Sequence, residues 1–86
     1  MPWNLIIAPR AERDLARLPA YTRAAVDRAL SGLAADPQSV DLAKLRGRRQ
    51  QWRLRVGQWR AILRLETATG RVYVLRVLPR SRAYRG

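Results

Sequence analysis

The N-terminal half of the chain has the hydrophobic pattern of one strand followed by two helices. Residues 3–8 form an apolar run of strand-forming side chains between two prolines. Pro9 suits the first turn of a helix, and apolar residues then recur at helical spacing until Pro19. The same spacing predicts a second helix over 21–35, which ends at Asp36-Pro37.

The C-terminal half changes to an alternation of apolar and polar residues with period two. This alternation predicts strands over 52–56 and 59–66, each with one buried face, joined by a two-residue Gly-Gln turn. A more continuously apolar segment over 72–78 predicts a last, interior strand. Residues 38–51, which contain few large apolar side chains, are predicted to form a loop.

These elements predict a single α+β domain over residues 1–86. The order is β-α-α-β-β-β, with an antiparallel sheet and the two N-terminal helices packed on one face. If the apolar residues of the strands point at the helices, the intervening arginines lie together on the opposite, solvent-facing side of the sheet. They are Arg53, Arg55, Arg60 and Arg64.

Composition removes several classes of function. The 86 residues include no cysteine and no histidine, which excludes disulfides, thiolate or imidazole metal sites and histidine-based acid-base catalysis. We therefore expect neither a metal nor another cofactor. The longest apolar run has four residues, far below the ~20 that a membrane-spanning helix needs. We expect a cytoplasmic protein with no membrane contact.

Charge is strongly asymmetric along the chain. The 18 basic and 6 acidic residues give a net charge of +12, and all of it lies after residue 43. A basic excess of this kind favours a polyanionic partner, with nucleic acid as the first candidate, over a face that only keeps the protein in solution. The arginines before residue 43 lie among acidic residues and are interpreted as surface ion pairs.

Four segments carry a family resemblance. Residues 52–60 read Trp-Arg-Leu-Arg-Val-Gly-Gln-Trp-Arg and residues 80–84 read Arg-Ser-Arg-Ala-Tyr, while 45–47 read Leu-Arg-Gly. With the pattern of Trp, Ile-Ala, Ala, Asp-Leu and Leu-Pro over residues 3–19, they resemble the RelE/ParE superfamily of toxins from type II toxin-antitoxin systems. The family's fold agrees with the one predicted above from periodicity.

The resemblance implies one of two activities, because the fold hosts both. RelE-like members are ribosome-dependent endoribonucleases that cut mRNA, and the residues associated with that activity are present here. The resemblance therefore implies an mRNA interferase that inhibits translation, with the ribosome and mRNA as partners and a cognate acidic antitoxin in a hetero-oligomer. A ParE-like inhibitor of DNA gyrase without nuclease activity is the alternative, and an RNA-binding protein that does not cleave is a more distant one.

The resemblance also assigns site residues. The predicted catalytic residues are Arg60, Arg80 and Tyr84. The predicted RNA-binding and ribosome-binding residues are Lys44, Arg46, Arg48, Arg49, Arg53, Arg55, Arg64 and Arg82. The ribose 2′-hydroxyl supplies the nucleophile, so the protein needs only to align it, accept a proton and stabilise an anionic phosphorane. Arg60 and Arg80 are predicted to stabilise that anion, and Tyr84 to stack on a base or take part in proton transfer.

Overall fold

The computed structural model of the chain describes residues 3–47 and 50–83. Within these ranges the apolar stretches form one mixed sheet and three helices, an α+β architecture as predicted. The elements are β1 (Asn4–Ile7), α1 (Pro9–Ala16), α2 (Ala20–Ala35), β2 (Leu42–Lys44), β3 (Gln51–Val56), β4 (Trp59–Glu66), β5 (Arg71–Pro79) and α3 (Arg80–Ala83), with a single 3₁₀ turn at Pro37–Ser39. None of the helices in the described ranges is long and apolar enough to cross a bilayer.

The sheet has the strand order β1-β5-β4-β3-β2. Strands β2 to β5 form an antiparallel meander, and β5 is an interior strand as predicted. The prediction of a wholly antiparallel sheet is wrong for β1, which pairs with β5 in parallel through the partners Asn4 and Arg71. Alternation of side chains reveals which residues share a face, but it carries no information on strand direction.

The hydrophobic core lies between the sheet and the helices. Its largest fully buried side chains come from α2 and from three strands of the meander. They are Leu30, Leu33, Leu54, Leu63, Val26, Val72 and Val74. Trp52 and Trp59 are partly buried and pack against this core.

Two short elements are missing from the predicted order. The loop predicted over 38–51 contains β2, which pairs antiparallel with β3 through Leu42 and Leu54. Helix α3 follows β5 directly and contacts β4 and β5. Three or four residues are too few to establish a period, so pairing and packing with neighbouring elements decide their structure.

Strand β5 changes partners along its length. Its pairing with β1 stops at Val74, and an irregularity in its register with β4 leaves Leu75 as an extra residue. Beyond Val74, α1 takes the place that a longer β1 would occupy. The α1 residue Asp14 accepts a hydrogen bond from the Val77 amide at 2.9 Å, so a carboxylate satisfies a donor of the strand edge.

Candidate functional site

The sheet face opposite the core carries the arginines of the meander. In β3, Leu54 is buried in the core, so Arg53 and Arg55 on either side of it point to the opposite face, called here the open face. The same alternation in β4 puts Arg60, Ile62 and Arg64 on the open face. The predicted sharing of one face by these arginines is therefore correct, although their environments differ.

A groove of about 580 Å³ lies on the open face and extends to the start of α1. We call it the arginine groove. Its basic lining residues come from five different segments of the chain. They are Arg10, Arg46, Arg53, Arg76 and Arg82.

The rest of the lining is neutral. Leu45, Ile62, Leu78 and Ala83 supply apolar contacts, and Gln51 supplies an amide. No acidic side chain lines the groove within the described ranges. A planar guanidinium group can bind two oxygens of one phosphate or carboxylate at once. The basic and apolar lining together therefore suits an anionic chain that also carries apolar or aromatic groups.

Asp14 holds the groove residue Arg76 in place. Its carboxylate accepts hydrogen bonds from Arg76 Nε at 2.9 Å and from Arg76 Nη2 at 3.3 Å. Burial by itself would raise the pKa of the Asp14 carboxyl, but the Arg76 hydrogen bond, the Val77 amide and the charges of Arg76 and Arg10 together lower it. The hydrogen bond to Asp14 also raises the pKa of Arg76, against the opposing effect of burial.

Other predicted binding residues lie outside the arginine groove. Arg55 is paired with Asp41 at 3.3 Å, and both side chains are more than half exposed. Arg64 is paired with Glu66 at 3.3 Å, and its guanidinium lies 4.7 Å from the centre of the Tyr73 ring. Lys44 is exposed at the end of β2. Their predicted contacts with RNA or the ribosome remain predictions.

Arg60 is not on the solvent-facing surface where the alternation places it. Its side chain is on the open face, but the residue is only 4% exposed. Its Nη1 atom donates to the carbonyl oxygens of Gly57 at 2.8 Å and Trp59 at 2.7 Å. The prediction of an exposed Arg60 was wrong, because alternation identifies a face without identifying what covers it.

Arg80 lies apart from the arginine groove. It is exposed at the first position of α3 and lines a separate shallow pocket with Gln58, Pro79 and Ser81. The structure therefore does not bring Arg60 and Arg80 together on the groove wall. Their predicted catalytic roles and that of Tyr84 remain predictions, and Tyr84, Arg48 and Arg49 lie outside the described residues.

Of the predicted binding residues, the arginine groove gathers Arg46, Arg53 and Arg82. Arg10 was interpreted as part of a surface ion pair, yet it lines the groove. A signal was available in the sequence: Pro9 begins the helix directly after β1, so Arg10 stands in the first turn, next to the end of the strand. Its approach to Arg76 depends on the packing of α1 against β5, which no local pattern encodes.

Comparison with known proteins agrees with this architecture. A family model described as the ParE toxin of the type II toxin-antitoxin system parDE matches residues 5–84. The chain belongs to the RelE/ParE superfamily of type II toxins. A sequence search among curated proteins found no match.

Solved structures of superfamily members are similar to this toxin. A chain of the RelBE2 toxin-antitoxin complex from Mycobacterium tuberculosis is 31% identical, with a TM-score of 0.80 over 93% of this chain and 100% of that one. The archaeal RelE-RelB complex from Pyrococcus horikoshii gives 23% identity and a TM-score of 0.81, covering 95% of this chain and 99% of that chain.

The isolated E. coli RelE toxin gives 18% identity and a TM-score of 0.76, with 96% of each chain covered. The likenesses at 23% and 18% identity establish a shared fold. They leave the activity of this toxin to be argued from its own side chains.

Proposed function

We propose that this toxin is a ribosome-dependent endoribonuclease of the RelE type, which inhibits translation by cutting mRNA. The observation that carries the proposal is the arginine groove, which has five arginines, one of them paired with Asp14, and no acidic lining residue within the described ranges. Successive phosphates of an RNA strand need several cationic donors spaced along a path, and the groove supplies them from α1, β3, β5, α3 and the segment before β3.

The proposed reaction uses the ribose 2′-hydroxyl of the RNA as its nucleophile. The 2′-hydroxyl oxygen attacks the adjacent phosphorus while the bond from phosphorus to the 5′-oxygen breaks. A 2′,3′-cyclic phosphate and a 5′-hydroxyl result. The 2′-hydroxyl proton passes to water or to Tyr84, and the leaving 5′-oxygen takes up a proton from water. The protein contributes alignment and cationic stabilisation of the phosphorane, for which arginine donors suffice.

Within this scheme the exposed Arg80 is the proposed stabiliser of the phosphorane. It begins α3, the helix that also carries the groove residue Arg82, and an RNA strand would have to extend beyond the groove to reach it. Removing one such donor typically costs about 3 to 4 kcal/mol of transition-state stabilisation. Tyr84 follows α3 directly in the sequence, and its proposed part is base stacking or proton transfer.

An antitoxin is the proposed regulatory partner. The similar proteins from M. tuberculosis and P. horikoshii were solved as complexes of toxin and antitoxin. An acidic antitoxin segment that folds on binding would compete with RNA for the same guanidinium groups and would be attracted by the charge of +12. We therefore propose a toxin-antitoxin hetero-oligomer.

Inhibition of DNA gyrase is the second candidate. Two observations favour it: the matching family model is that of the ParE toxin, and Arg60, a predicted catalytic residue, is buried on the carbonyls of its own turn. In that case the arginine groove would bind an acidic protein surface or DNA, and no RNA would be cut.

Mapping of mRNA ends by primer extension distinguishes the two activities. An mRNA is translated in a purified system with and without the toxin, and the 5′ ends of the fragments are determined. We expect toxin-dependent cuts only when ribosomes are present, and Arg80→Gln should reduce the cleavage rate at least about a hundredfold. Arg23→Gln, on the exposed side of α2, is the matched control and should cut at the normal rate.

The same protein is added to a gyrase supercoiling reaction. Intact mRNA together with loss of supercoiling or trapped gyrase-DNA adducts would reject the nuclease proposal and establish the alternative. Cuts that form equally well in free RNA would contradict the dependence on the ribosome.

A further inference from the structure

The side chain of Arg60 is a buried cation without an acidic partner in residues 3–47 and 50–83. The ion pairs described there involve Arg55, Arg64 and Arg76, and none involves Arg60. Its Nε atom is buried without a hydrogen-bond partner in the same ranges. Removing a guanidinium from water is costly unless other groups compensate, so the acceptors that Arg60 does have are important for its position.

The two acceptors lie in the turn between β3 and β4 and in the first residue of β4. Arg60 Nη1 donates to the carbonyl oxygen of Gly57 at 2.8 Å and to that of Trp59 at 2.7 Å. Hydrogen bonds from a charged donor are stronger than neutral ones, and burial keeps water from competing for these two. The guanidinium thus closes the turn from the open face.

The β3–β4 turn also binds the beginning of α3. The backbone amide of Arg80 donates to the carbonyl oxygen of Gln58 at 2.8 Å, and Gln58 lies between the two residues that Arg60 binds. Helix α3 contacts β4 and β5, and it brings Arg82 and Ala83 to the wall of the arginine groove. Hydrogen bonds on either side of the turn backbone therefore connect Arg60 to the helix that completes the groove.

We propose that Arg60 is a positioning residue that fixes the β3–β4 turn and, through it, α3 and Arg82, and that Arg60 does not bind the anionic partner itself. The proposal concerns how the arginine groove is built, and it holds for either activity discussed above. It assigns Arg60 a different role from the phosphorane contact predicted for it from the sequence.

A double-mutant cycle on anion binding tests the coupling between Arg60 and Arg82. The probe is a short oligodeoxythymidine, which lacks a 2′-hydroxyl and is not cut. Arg82→Gln and Arg60→Met should each weaken binding several-fold. Because Arg60 acts through α3, the double variant should bind about as well as Arg82→Gln alone. Losses that multiply in the double variant would show an independent contact and overturn the proposal.

Amide hydrogen exchange measured by NMR reports on positioning directly. In Arg60→Met, the Arg80 amide should exchange at least about tenfold faster than in wild type. The exchange rates of core amides in β4 and β5 should change much less. Arg60→Lys should restore part of the protection, because an ammonium can still donate to the turn carbonyls. Arg55→Met, a change in the cross-strand neighbour of Arg60, should leave the Arg80 amide unaffected. An Arg80 amide that is equally protected in wild type and Arg60→Met would overturn the proposal.

The unmodified protein offers a third measurement, which also serves if Arg60→Met fails to fold. The guanidinium resonances are followed while the oligodeoxythymidine is added. Those of Arg46 and Arg82 should shift and saturate together, whereas those of Arg60 should stay in place. A saturable shift of the Arg60 resonances that matches the shifts of Arg46 and Arg82 would instead establish a direct contact and overturn the proposal.

Discussion

Asp14 illustrates how much one carboxylate can organise. It joins α1 to β5 by accepting two hydrogen bonds from Arg76 and one from the Val77 amide, and its side chain is only 12% exposed. The strand amide would otherwise lack an acceptor, because β1 ends its pairing at Val74. The same carboxylate determines where Arg76 and, through α1, Arg10 meet the arginine groove.

Replacement of Asp14 by Asn should lower the free energy of unfolding at pH 7 by about 1 to 2 kcal/mol. Asparagine can still accept from the Val77 amide, but it leaves the partly buried Arg76 without a counter-charge. Asp14→Ala removes the acceptor too and should cost about 2 to 4 kcal/mol. Urea unfolding measures both, with Asp27→Asn on the exposed side of α2 as the matched control.

The contribution of Asp14 should depend on pH in a defined direction. Its pKa is lower in the folded protein than the value of about 3.9 expected when unfolded. The stabilisation is therefore fully present above the unfolded pKa and is lost as the pH falls through the folded pKa. The difference between wild type and Asp14→Asn should shrink from pH 5 downward, measured by unfolding at a series of pH values. A difference that is constant down to about pH 2 would contradict this.

At the scale of elements, the β3–β4 hairpin joins the core to the open face. Gly57 at its turn has a φ of 57°, which most residues adopt only with strain, and a Cβ there would meet no atom within 4 Å. A substitution at Gly57 therefore tests backbone conformation without introducing a clash. The turn also supplies acceptors for Arg60 and for the first amide of α3.

Gly57→Ala should destabilise the protein by about 1 to 2 kcal/mol. Gly57→Asn should be milder, because asparagine tolerates the left-handed region better than alanine does. Thermal unfolding measures the difference, at roughly 4 to 8 °C for each kcal/mol in a domain of this size. Equal melting temperatures for wild type and Gly57→Ala would mean that the turn relaxes to another conformation.

The hairpin also shows what the sequence can predict at this scale. The alternation over β3 and β4 correctly predicted both strands, their turn and the face that each side chain occupies, since these depend on local period alone. The same pattern did not predict the burial of Arg60 or the short elements β2 and α3. It also did not predict that β1 pairs with β5 in parallel. Each of these depends on contacts between segments that are distant in the chain. Among the groove arginines, the predicted binding residues were Arg46, Arg53 and Arg82. Arg10 in α1 and Arg76 in β5 were not among them.

For the whole molecule, the main feature is the separation of charge and core. The fold buries its apolar side chains between the sheet and α1 and α2, and it gathers arginines from five segments on one groove. Like charges held this close repel one another, which makes a bound polyanion the state that relieves the repulsion. Binding should therefore release counterions and depend strongly on salt.

Arg46→Gln should reduce the slope of log affinity against log salt for a single-stranded oligonucleotide by about 0.7, the value for one lost phosphate contact. Arg23→Gln removes the same charge from the exposed side of α2 and should leave the slope nearly unchanged. The two variants have the same net charge, so fluorescence anisotropy at several salt concentrations separates a local contact from a general charge effect. Equal reductions of the slope in both variants would contradict a localised groove.

The parallel pairing of β1 with β5 has a consequence for biosynthesis. Asn4 is translated long before its partner Arg71, and the Ala8 amide likewise donates to the carbonyl oxygen of the distant Val74. The sheet therefore cannot close until β5 has been translated, and before then the helices lack the complete sheet against which their apolar faces pack. Because α3 follows β5, the groove is completed last. The five arginines of the groove therefore come together only after α3 has been translated.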